Sequence, residues 1–173
     1  IGCGICQSIA GNENISISMT EKGRLEPKEN KPLNNEIFDK IKKTCPGVIV
    51  EGLPKEAIDN KSQYDLVWGY YLSLFYAWST DKDIRFKSST GGLLNGISLY
   101  LLETNKVKFI LHTGTDPKKP MRSVSRYSYN KQELLNSGSC SRYGPSSPLD
   151  KFNEALNKNC LLYTSDAADE VLG

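Results

Sequence analysis

Apolar and polar residues alternate over Ile15-Ser-Ile-Ser-Met-Thr20, the two-residue period of a half-buried strand. Glu21 to Arg24 turns the chain back into a short Leu25-Glu-Pro segment, and residues 28–34 form a charged connector with a proline. Ile37, Phe38 and Ile41 recur on one helical face, so Asn35 to Thr44 is predicted to be a helix, capped by Asn34 or Asn35 and stopped by Cys45-Pro46-Gly47. Residues 52–63 are a second polar connector, where a domain boundary is expected. Tyr64 to Trp78 is dominated by aromatic and aliphatic residues and predicts a buried strand, with a turn over residues 79–83. Ser88 to Glu103 has hydroxyl caps at its start and a stripe of Leu93, Leu94, Ile97, Leu101 and Leu102, which predicts a helix. Val107 to His112 then predicts a strand, and the order strand, helix, strand argues an α/β layer with a parallel pair, with α+β as the alternative. A strand over residues 121–129, a helix over 131–136, a Gly/Ser/Pro loop over 137–148 and a helix over 149–157 complete the pattern. No internal repeat is visible.

Composition narrows the class without naming a function. The 173 residues are 38% hydrophobic and 24% charged, as in a folded domain rather than a disordered tail. The longest apolar stretch, Leu66 to Trp78, is broken by Gly69 and Ser73 and is too short and polar to span a bilayer. Five cysteines, three of them closely arranged for ligation, favour a reducing compartment, and a cytoplasmic location is expected. The segment from Cys160 to Glu170 resembles the translation of a sequencing-library adapter, so residues 160–173 are expected to be an artefact; a genuine polar helix is the alternative. Setting them aside removes Asp166, Asp169 and Glu170 and no base, so the formal charge of +2 becomes more positive. That mild excess suits an anionic cofactor or a partner and is too diffuse for nucleic acid.

Candidate chemistry starts at the opening. Ile1-Gly-Cys-Gly-Ile-Cys6 reads as the last two-thirds of a C-x-x-C-x-x-C run, with a further cysteine expected before Ile1. Cys3, Cys6 and the remote Cys45-Pro46 are soft, closely spaced donors of the kind an iron–sulfur cluster uses. Zinc remains open, since C-x-x-C also suits a tetrahedral site, although a second C-x-x-C is missing. Buried thiols without a ligand are the third reading. Ser88-Ser89-Thr90-Gly91-Gly92 opens a helix with small residues that let backbone N–H groups approach an anion, and Arg85 lies just upstream. Plain capping and close packing explain the same residues. Arg142 and Tyr143, in Ser141-Arg-Tyr-Gly-Pro145, suit phosphate pairing and ring stacking, or an ordered surface loop. His112, the lone histidine, fits a hydrogen-bonded structural residue better than an acid–base catalyst. Cys140 has no partner at ligand spacing.

Taken in order, Gly2-Cys-Gly-Ile-Cys-Gln-Ser-Ile-Ala-Gly11, Thr44-Cys-Pro-Gly47, Arg85 with Ser88-Ser-Thr-Gly-Gly-Leu-Leu94, and Ser141-Arg-Tyr-Gly-Pro-Ser-Ser-Pro-Leu149 resemble the coenzyme F420 hydrogenase/dehydrogenase beta-subunit family. The resemblance covers residues 1–159 and is carried by the order of four motifs. It implies an iron–sulfur flavoprotein oxidoreductase that passes electrons between a [4Fe-4S] cluster and FAD, with hydride exchange to a small organic acceptor such as coenzyme F420. It implies Cys3, Cys6 and Cys45 as cluster ligands and the Ser88–Gly92 loop as a holder of flavin or substrate. Residues 1–52 would then be the cluster-binding segment, residues 64–159 the start of an α/β flavin domain whose C-terminal part follows, and a redox protein or subunit the partner. The chain departs from the family pattern in spelling Ser-Ser-Gly-Gly with Thr90 inserted. A zinc-stabilised, non-enzymatic binding module and a cluster-only electron-transfer subunit are the competing readings.

Overall fold

A computed structural model describes residues 1–136, 142, 144–158 and the backbone of 164–165. The chain opens with a one-and-a-half-turn helix α1 (Ile5–Ala10), then an antiparallel hairpin of β1 (Ile15–Met19) and β2 (Leu25–Glu29), in which Ile15 faces Glu29 and Met19 faces Leu25. Helix α2 (Asn35–Thr44) follows as the periodicity predicts: the Asn34 side chain accepts from the Ile37 N–H, and the Cys45 N–H bonds the Ile41 carbonyl at the far end. Its apolar face stays only half covered, with Phe38 exposed.

The segment predicted as one buried strand over Tyr64–Trp78 is instead a small exposed hairpin, β3 (Gln63–Asp65) and β4 (Gly69–Tyr71), followed by extended chain. The cause is local. One carboxylate oxygen of Asp65 accepts from the N–H groups of both Val67 and Trp68, which diverts the backbone into a turn that Gly69 completes at φ 77°. Leu74, Phe75 and Tyr76 lie open to solvent, Tyr76 at 98% exposure.

The turn expected after Trp78 is short, because Asp81 starts a helix the periodicity does not reveal, α3 (Lys82–Lys87): its carboxylate accepts from the N–H groups of Asp83 and Ile84 and pairs with Lys131. The helix expected from Ser88 begins only at Leu93, as α4 (Leu93–Glu103), after a 3-10 turn over Thr90–Gly92. Thr90, Gly91 and Gly92 all hold positive φ, so no right-handed helix can pass through them. β5 (Ile110–Thr115) and β6 (Ser123–Ser128) form an antiparallel ladder with His112 opposite Arg126, and α5 (Lys131–Asn136) and α6 (Phe152–Leu156) follow. A two-residue β7 (Thr164–Ser165) runs parallel to β5 on its other side. The parallel pairing expected between residues 64–78 and 107–112 does not form, because the first partner closes on itself. Helices and small sheets, mostly antiparallel, mix along the chain in an α/β fold.

β5 and the residues leading into it are the centre of the molecule, apolar on both faces. Ile110 joins Ile84, Leu99, Val107 and Leu134 in one core under α3, α4 and α5. Phe109 and Leu111 join Ala155 and the edge-on ring of Tyr127 in a second core under α6. Burial on both sides explains the consecutive apolar residues Phe109, Ile110 and Leu111 that made this strand legible in sequence.

Candidate functional site

The cysteine loop is built by a sharp start. Gly2 and Gly4 take φ 74° and 90°, and a Cβ at either position would press into neighbouring backbone, Leu25 at Gly2 and Asp150 at Gly4. These close approaches turn the chain so that Cys3 precedes α1 and Cys6 sits in its first turn. Cys45 comes from the end of α2, and the space beside Gly47 lies 3.6 Å from the Cys45 Sγ and 3.9 Å from the Ile1 amine, so α2 does return this thiol to the chain's opening. All three cysteines are free and partly accessible.

Burial pushes the Cys6 thiol above its ordinary range. The N–H groups of Gln7 and of Cys6 itself oppose that by bonding the sulfur, while Cys3 and Cys45 raise it further by charge repulsion. Among the described residues no three His, Cys, Asp or Glu side chains are drawn together tightly enough for a single metal ion. A cubane cluster is wider than one ion and takes each thiolate on a separate corner. Three soft sulfur donors from two segments, with backbone N–H groups aimed at one of them, fit such a cluster in kind.

The glycine loop tells a different story. A Cβ on Gly91 would come within 2.9 Å of the Trp78 Cβ, and one on Gly92 within 2.9 Å of Ile84 Cγ2. The paired glycines thus allow α4 to pack on α3 and on the chain at Trp78. Ser88 Oγ accepts from Asn95 Nδ2 at 2.8 Å, Ser89 and Thr90 line the same bend, and the Arg85 guanidinium lies 5.7 Å from the Trp78 ring centre. Helix α4 has no side-chain cap and no acid in its first turn, which leaves its start electrostatically open to an anion. The loop gathers Arg85 and residues 88–92 in one place, well separated in the chain from the cysteines.

Arg142 has another role. Its Nε donates to Ser123 Oγ at 3.0 Å, Nη1 to Thr115 Oγ1 at 2.7 Å, and Nη2 to the carbonyls of Pro120 and Arg122. Four of its five N–H groups fasten the β5–β6 turn. Tyr143, like Cys140 and Cys160, lies outside the described residues. His112 is buried, and its Nε2 bonds Ser128 Oγ at 2.8 Å; burial pushes its pKa below the ordinary 6.5, the Thr113 backbone opposes, and Arg126 adds to the fall.

Sequence reasoning missed the residues on which the cysteine loop rests. The segment after Gly144 grips it: Ser147 Oγ donates to the Gly2 carbonyl at 2.8 Å, the Leu149 N–H to the Cys3 carbonyl at 2.9 Å, and the Asn153 N–H to Ser8 Oγ at 2.7 Å. A cleft of about 530 Å³ opens beside this contact, lined among others by Gln7, Arg122, Ser125 and Asp150. Burial raises the Asp150 pKa, Ser125 opposes, and its Oδ1 is buried without a partner. In the sequence, Ser147 looks like an ordinary member of a Gly/Ser/Pro loop and Asp150 like part of the helix expected over 149–157; only long-range pairing gives them a task.

Residues 74–152 match the family model described as coenzyme F420 hydrogenase/dehydrogenase, beta subunit N-term. The matched stretch contains Arg85, residues 88–92, Arg142 and Ser147, and begins after the three cysteines. In structure the chain is similar to one from the xenon-derivatised F420-reducing [NiFe] hydrogenase complex of Methanosarcina barkeri, at 21% identity and a TM-score of 0.45, covering 50% of this chain and 30% of that one. No curated protein matches the chain. No helix among the described residues is long and apolar enough to cross a membrane.

Proposed function

We propose that the protein is an iron–sulfur flavoprotein oxidoreductase, with a [4Fe-4S] cluster on the Cys3, Cys6 and Cys45 side and FAD on the side of Arg85 and residues 88–92. The observation that carries this reading is the family match over residues 74–152. A cluster held by Cys3, Cys6 and Cys45 would supply single-electron transfer, and a flavin held beside Arg85 and residues 88–92 would couple it to hydride exchange with an organic acceptor such as coenzyme F420. The chain's own residues bind and orient. Cys3 and Cys6 present thiolates from one tight loop, Cys45 brings a third from α2, and the N–H groups of Cys6 and Gln7 lower the charge density on sulfur. On the other side, Ser88, Ser89, Thr90, Gly91 and Gly92 shape the start of α4 for the pyrophosphate, and Arg85 supplies the nearby positive charge. Residues 1–52 and 64–159 are the corresponding cluster and flavin units, and the protein works with a redox partner subunit.

The test is elemental. The complete gene product, purified without oxygen, should carry about four iron and four sulfide per chain, plus FAD released by denaturation. Cys6→Ser should lose the iron and keep flavin, while Gly91→Val with Gly92→Val should lose flavin. Colourless wild-type protein with stoichiometric zinc would overturn the proposal.

A further inference from the structure

The contact between residues 144–153 and the cysteine loop has features that simple chain packing does not require. It joins positions almost the full described length apart, and it uses a side-chain donor on a backbone carbonyl (Ser147 to Gly2), a backbone donor on a carbonyl (Leu149 to Cys3) and a backbone donor on a side-chain oxygen (Asn153 to Ser8). Between these bonds the Gly4 backbone lies against Asp150 so closely that a Cβ would fall 2.7 Å from the Asp150 nitrogen. The gripping segment is itself held, because Ser125 Oγ of β6 donates to the Ser147 carbonyl at 2.9 Å and Tyr127 Oη donates to the Lys151 carbonyl at 3.2 Å. A route of hydrogen bonds thus runs from the central sheet to the carbonyls of Cys3, which carries the first thiol, and of Gly2 before it.

We infer that residues 144–153 are a preset clamp on the cysteine loop, with Ser147 as the positioning residue that holds the Gly2 carbonyl while the neighbouring Leu149 N–H holds that of Cys3. The inference rests on the cluster reading for its purpose, though not for its geometry. A metal-binding loop without such support pays its ordering entropy when the metal arrives. Here the sheet has already fixed it. A donor on each carbonyl oxygen also offsets its negative end beside the thiol-bearing residue, and hydrogen bonding and local dipoles set cluster potentials.

The experiment uses the complete gene product and the variants Ser147→Ala, Ser147→Thr and Ser8→Ala. Amide hydrogen exchange on metal-free protein reads the clamp without any cluster. Losing one such bond should speed exchange of the Leu149 amide roughly five- to tenfold in Ser147→Ala. The Asn153 amide should quicken as well, although its own acceptor Ser8 is untouched, and Ser147→Thr should restore both. In cluster-loaded protein, Ser147→Ala should lower the midpoint potential with an unchanged far-ultraviolet dichroism spectrum. Wild-type exchange at Leu149 and Asn153 in Ser147→Ala, or an unmoved potential in protein that holds its iron, overturns the inference. If wild type takes up no iron, the cluster reading fails by itself, and the exchange rates still decide whether the clamp exists.

Discussion

Residues 1–11 and residues 63–78 make opposite use of their chemistry. The first segment is short, small and glycine-rich, yet hydrogen bonds from residues 144–153 and the crowded Gly4 fix it in place. The second carries Tyr64, Trp68, Tyr70, Tyr71, Phe75, Tyr76 and Trp78, a far larger apolar content, yet nearly all of it faces solvent. Apolar content is therefore a poor guide to which segment this fold holds firmly. Complementary donors and a close backbone approach fix the loop, while the aromatic hairpin is held by its own Asp65 turn and a Tyr64–Tyr70 edge contact.

Two glycines of equal backbone type sharpen the contrast. Gly4 and Gly69 both have positive φ, but a Cβ on Gly4 meets Asp150 backbone and one on Gly69 meets nothing within 4 Å. Gly4→Ala should cost about 3 kcal/mol or more in denaturant unfolding, from strain plus overpacking. Gly69→Ala should cost only about 1 kcal/mol, from backbone strain alone. Equal costs would erase the distinction between gripped and free segments.

Acid gives a smaller effect. His112 is buried neutral on the ladder that carries Ser125, the residue holding the clamp. Its folded pKa lies below 6.5, so the unfolded chain binds the extra proton first as pH falls through that value. Stability from this group is full above pH 6.5 and declines on acidification below it. His112→Gln should flatten the unfolding free energy between pH 6.5 and about pH 5, while wild type slopes downward. An upward slope in wild type would contradict the burial. Last, Tyr76→Ser, at a residue 98% exposed, should change stability by less than about 0.5 kcal/mol. A larger loss would mean the hairpin is packed after all.

What sequence could reveal follows the range of the forces involved. α2 was legible to the residue, because an apolar stripe, an Asn cap and a Cys-Pro stop are all local. α5 was equally plain. The strand at 64–78 was misread because one carboxylate bonding two amides outweighs a continuous apolar run, and composition does not register that bond. α3 escaped because it is only six residues long and owes its start to Asp81, whose partner Lys131 lies fifty positions away. In the candidate site, the proximity of Cys45 to the opening loop could be inferred from motif order. The engagement of Arg142 with the β5–β6 turn and the grip of Ser147 could not, since both depend on where the sheet places distant chain.

The most direct measurement is electron paramagnetic resonance of the complete gene product, purified without oxygen and reduced with dithionite. Wild type should give the signal of a reduced [4Fe-4S] cluster, integrating to near one spin per chain and absent from Cys45→Ser. A silent spectrum from protein that retains its fold and binds zinc at these thiols would contradict the cluster reading.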